Sequence, residues 1–100
     1  MSYNMTTLTM PERFIDAVAQ LFDALVPVAT DDELFASGYL RGHFDLAVGT
    51  LQVAAEPFVA ADVVKQVNAT LEQAINSGEL SEQDQQHVAA IWQRIQQLAD

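Results

Sequence analysis

Cysteine is absent from all 100 residues. That excludes disulfides, thiolate metal sites and a cysteine nucleophile together, and it removes any sign of an oxidising compartment. Basic residues are scarce: four (Arg13, Arg41, Lys65 and Arg94) against fourteen acidic ones, for a formal charge of −10. They are also scattered, so the basic patch that would neutralise nucleic-acid phosphates is missing, and anionic membrane surfaces are disfavoured on the same ground. No apolar run approaches the roughly eighteen residues of a membrane span, and the opening MSYNMTTLTM lacks the basic start and apolar core of a secretory signal. These absences lead us to expect a cytoplasmic protein that meets neither nucleic acid nor membrane. The acidity reads as ordinary solubility or as steering toward a basic partner.

What is present is helical periodicity. The length suits one domain, able to bury about two-thirds of the surface its unfolded chain exposes. We expect an all-α fold, a four-helix up-down bundle or close variant over residues 10–100, preceded by a flexible polar tail at residues 1–9. The first helix is predicted to start at Thr9, with Glu12 completing a capping box and Pro11 in the first turn, and to end at Pro27. Phe14, Ile15, Val18, Leu21, Phe22, Leu25 and Val26 share one of its faces. The second starts at Thr30, with Glu33 as box partner and Asp31 and Asp32 complementing the helix dipole, which explains the acidic run without a metal. The third opens at Pro57, presents Ala60, Val63, Val64, Val67, Leu71, Ala74 and Ile75, and closes at Gly78. The fourth is capped by Ser81, with Asp84 in the box position, and buries Val88, Ile91, Trp92, Ile95 and Leu98. Short connections predict antiparallel neighbours.

The second helix is unusual. Set at about 100° per residue, Ala36, Leu40, Phe44, Ala47, Val48 and Leu51 form one apolar sector, and Phe35, Tyr39, Leu46 and Val53 form a second stripe. Gly38, Gly42 and Gly49 align with one another on the wedge between, together with Arg41, Asp45 and Gln52. Three interior glycines forgo roughly 3 kcal/mol of helix propensity, a sizeable part of a domain's stability. Close approach of a neighbouring helix is the expected compensation. The alternatives are a groove that admits part of a partner, or a bend or stop near Gly42 or Gly49, since a straight helix here would reach about 36 Å.

The run DDELFASGYLRGH, taken with the later GELSEQDQQHV, resembles the YfcL family of small bacterial proteins over residues 12–98. The resemblance implies a helical cytoplasmic protein. It implies no activity and assigns no catalytic residue, and residues 1–10 lie outside its pattern.

The chemistry-bearing residues do not assemble into a reaction centre. Asp84 and His87 have the i, i+3 spacing of a carboxylate-bridged metal site, but there is no second such pair. Arg41, His43 and Asp45 do not share a helix face. Gly38-x-x-x-Gly42 lacks the strand and the Lys-Ser/Thr of a phosphate loop, and Asn68-Ala69-Thr70 matches a glycosylation acceptor only by letter. We therefore expect no enzyme, no cofactor and no metal. The expected function is protein–protein interaction, including a possible homodimer, through a surface of Phe35, Gly38, Tyr39, Arg41, Gly42 and Asp45. The alternative is a small-molecule binder with a cavity between the helices lined by Tyr39, Phe44 and Trp92.

Overall fold

The computed structural model describes the backbone of residues 2–99 and the side chains of residues 11–99. Four helices, α1 (Ser2–Leu25), α2 (Asp31–Val53), α3 (Ala60–Asn76) and α4 (Glu82–Gln97), make up the fold, with no strand among the described residues. The all-α expectation holds.

The ends follow local chemistry. The Thr30 hydroxyl accepts from the Glu33 N–H at 3.2 Å, and the Glu33 carboxylate accepts from the Thr30 N–H at 2.9 Å, completing the expected box. Ser81 caps α4 by accepting the Asp84 N–H at 3.1 Å. At the end of α3, Gly78 sits at φ +75°, the left-handed conformation glycine tolerates. There the N–H groups of Gly78 and Glu79 donate to the carbonyls of Ile75 and Ala74, closing a Schellman motif. The chain leaves α2 through a left-handed Ala55, at φ 59°.

Two predicted starts are corrected. α3 begins at Ala60 rather than Pro57, because the Asp62 carboxylate accepts the Val59 N–H at 3.0 Å and so sets the N-terminus three residues further on. α1 begins at Ser2 rather than Thr9, and Pro11 lies inside it. Residues 2–10 contain neither glycine nor proline, so nothing in them opposes a helix that runs on into Pro11. The Thr9 side chain lies outside the described residues. At its other end α1 stops at Leu25, two residues short of Pro27, as the restriction on the residue before proline requires.

α2 is the hub and packs against each of the other three helices, most extensively α4 and α3. Contacts give the directions. Along α2 from Tyr39 to His43 the partners retreat along the chain from Glu79 to Thr70, so α2 and α3 are antiparallel. Gln83 reaches Asp32 at 3.4 Å, placing the starts of α2 and α4 side by side. In a square bundle, alternate helices sit on a diagonal. Here α2 and α4 are in direct contact, so the cross-section is flattened, and the molecule measures 47 × 30 × 20 Å.

The core is a single apolar cluster. Phe14, Val18 and Phe22 of α1 meet Leu40 and Phe44 of α2, Val63 and Val67 of α3, and Val88, Ile91, Trp92 and Ile95 of α4. Phe44 stands edge-on to two rings, Phe14 at 5.7 Å and Phe22 at 6.5 Å between centroids. Leu80, in the loop before α4, is also buried, although no helical period marked it.

Candidate functional site

The candidate surface lies on the side of α2 that the core does not use. Its inward sector holds Ala36, Ser37, Leu40, Phe44, Ala47 and Val48, all buried. Gly42 lies about 160° around the helix from Leu40. On that outward side, Phe35, Leu46 and Val53 are 54%, 64% and 86% exposed. Singly exposed apolar residues are ordinary, but three on one helical stripe, with glycines between them, form a continuous strip.

The glycines have open space before them. A Cβ built on Gly38, Gly42 or Gly49 meets no atom within 4 Å. The expectation of close internal helix packing is therefore overturned: the neighbours of α2 lie on the opposite sector, where Ala36, Ser37 and Ala47 supply the small residues. α2 also runs without interruption to Val53, so no glycine stops it. Since nothing internal needs the missing side chains, Gly38→Ala and Gly42→Ala should each stabilise the isolated domain by up to about 1 kcal/mol. Urea unfolding would show this as a higher midpoint at unchanged slope, and a loss of stability in either variant would contradict the open geometry.

The six predicted surface residues divide. Phe35, Gly38, Gly42 and Asp45 face outward and are exposed. Arg41 lies at the flank of that face rather than on it: its guanidinium, partly exposed, pairs with Asp23 of α1 at 3.2 Å and lies 5.5 Å from the centre of the Phe22 ring, closing the α1–α2 seam. Tyr39 stands at the edge of the strip. Its ring stacks on Phe35 at 6.2 Å and contacts His43 at 4.8 Å, while its hydroxyl donates to Glu79 at 2.8 Å.

This edge forms an ordered ladder. The Thr70 hydroxyl donates to the Val67 carbonyl at 3.1 Å, so its oxygen accepts from His43 Nδ1 at 2.9 Å. Partial burial, with the adjoining Glu79 carboxylate, pushes the Tyr39 hydroxyl up to about 12. A folded-state value above the unfolded one means that Tyr39 contributes stability fully below about pH 10, and that the contribution is lost as pH rises toward 12. Tyr39→Phe should flatten that alkaline loss in a pH series of urea midpoints; an unchanged profile would assign it to other groups.

The remaining candidates fall elsewhere. His87 lines a surface pocket of about 270 Å³ with Glu33, Arg94, Leu25 and Ile91, between the α1–α2 turn and α4. The Glu33 carboxyl is held below its ordinary range chiefly by the hydrogen bonds from Thr30, with a smaller contribution from His87. Among the described residues no three His, Asp or Glu side chains gather where they could hold a metal ion. Asn68 accepts the Trp92 Nε1–H at 2.7 Å, a role its sequence context did not suggest. The expected cavity lined by Tyr39, Phe44 and Trp92 does not form. Phe44 is enclosed by Phe14 and Phe22, Trp92 is buried against Asn68, and Tyr39 sits on the α2–α3 edge. A second surface pocket, also about 270 Å³, opens between α3 and α4 over Leu71, Leu80, Val88 and Trp92.

Sequence reasoning located the second apolar stripe of α2 but missed Glu79 and Thr70, the residues that clamp its edge. Thr70 lies 27 positions from His43 and Glu79 lies 40 from Tyr39, and no local pattern couples either pair.

No solved structure matches the chain, and no described helix is long and apolar enough to cross a membrane. A protein of Escherichia coli (strain K12) described as "Uncharacterized protein YfcL" is 43% identical over 90 residues, which is 90% of this chain and 97% of that protein. The model of the YfcL protein family matches residues 12–97, spanning all of α2 to α4 and the core-forming part of α1, and the chain belongs to that family.

Proposed function

We propose that this is a non-enzymatic interaction module of the cytoplasm whose docking face is the outward side of α2, from Phe35 to Val53. The observation that carries the reading is the open glycine strip. Three glycines that forgo about 1 kcal/mol each serve no internal contact, and they lie between exposed apolar side chains. A helix face without side chains lets a second backbone come closer than the usual 8–10 Å between axes, while Phe35, Leu46 and Val53 supply apolar anchors beside it. The partner this suits presents a helix that is neutral or basic on its contact face, given the charge of −10.

Gly42→Leu tests the reading. The substitution has room in the isolated domain and should leave its stability equal or higher by up to about 1 kcal/mol. It should also remove from a pull-down a protein that the unaltered chain retains. A stable Gly42→Leu chain that retains every such partner would sink the proposal.

A further inference from the structure

The outward strip of α2 is complementary to itself, which deepens the docking reading above and rests on it. From the N-terminal end its positions read Phe35, Gly38, Gly42, Leu46, Gly49 and Val53. Laid antiparallel on a copy of itself about a two-fold axis level with Phe44, Phe35 comes level with Val53 of the partner and Gly42 with the partner's Leu46. Gly38 then lies within one residue of Gly49 of the partner. Each Leu46 is thus a knob facing a glycine notch, twice over by symmetry.

The two flanks of the seam also match. Such a two-fold sets like flank against like flank. On one flank lie the apolar side chains, so Phe35, Leu46 and Val53 meet their counterparts. On the other lie Asp45 and Arg41, and Asp45 comes within about 3 Å along the axis of Arg41 of the partner. Asp45 has no ion pair within its own chain among the described residues, and Arg41, bound to Asp23 through one nitrogen, retains further donors.

We infer that a second copy of this chain is a partner of the α2 face, in a two-fold antiparallel dimer in which Leu46 enters the Gly42 notch and Arg41 meets Asp45 across the axis. The seam is about 27 Å long, and one helix pair of that length covers less than the roughly 800 Å² per partner of a standard interface. The dimer is therefore reversible and depends on concentration.

The absence of cysteine makes the register directly readable, because one introduced thiol is unique in the chain. Sedimentation equilibrium of the full chain should show the mean mass rising from one chain toward two with concentration, and Gly42→Arg should raise the dissociation constant at least tenfold with unchanged far-ultraviolet dichroism. With a short bismaleimide, Leu46→Cys should link to itself. Phe35→Cys alone should not, since two copies of that residue lie at opposite ends of the seam. A mixture of Phe35→Cys and Val53→Cys chains should link to each other. Self-linking of Phe35→Cys, or a dimer indifferent to Gly42→Arg, would overturn the inference. So would a chain that stays monomeric at millimolar concentration; if Gly42→Leu still abolished capture of another protein, the dimer would fall and the docking face would stand.

Discussion

Replacing Trp92 by alanine should destabilise the domain by about 3–5 kcal/mol, among the largest losses any single side chain here would cause. Trp92 is 5% exposed, within the apolar cluster, and it also joins two helices through the 2.7 Å bond from its indole N–H to Asn68. α3 and α4 share little close backbone contact, and this bond ties the two helices directly. Truncation removes the packing and leaves the Asn68 amide without its donor. For a domain of this size the loss should lower the melting temperature by roughly 12 °C or more. Trp92→Phe keeps most of the volume and should cost less, which separates packing from the hydrogen bond. A loss under about 1 kcal/mol for Trp92→Ala in urea unfolding followed by circular dichroism would show that the α3–α4 seam does not depend on it.

Phe44→Ala should cost a similar amount, about 3–5 kcal/mol, by a different route. Its ring is 2% exposed and lies between Phe14 and Phe22, so its removal strips an edge-to-face partner from both. Each such pair is worth about 0.5–1.5 kcal/mol beyond burial. The coupling can be read in a double-mutant cycle with Phe14→Leu: the two losses should fall short of additive because they share one contact. Full additivity would mean that the rings do not interact. The same substitution should loosen α1, because Phe22 also carries the Arg41 guanidinium that pairs with Asp23.

Much of the fold was legible because its causes are local. Thr30 and Glu33 are three residues apart, as are Ser81 and Asp84, and a cap needs only that spacing. The core sectors of all four helices followed from the 3.6-residue period, since a face that recurs every turn must be buried somewhere. Exceptions came at the ends, where Val26, Ile75 and Leu98 proved exposed, and at Leu80, buried from a loop with no period to announce it. α1 starts ahead of the expected Thr9 because the preference of proline for a first turn does not forbid a helix that continues through it.

Local spacing was enough for the class, the four helices, most of the core and the two apolar stripes on α2 with an aligned set of glycines between them. It could not determine which stripe is covered, because coverage is a property of the neighbours. The packed fold answers it. The neighbours of α2 pack against the Leu40–Phe44 side, Tyr39 and His43 are drawn to Glu79 and Thr70 of distant segments, Arg41 is drawn to Asp23, and the glycines are left facing open space. The physical reason is that a helix carries its periodicity in its own residues, whereas the choice of which face to bury is made by the summed contacts of elements far apart in the chain.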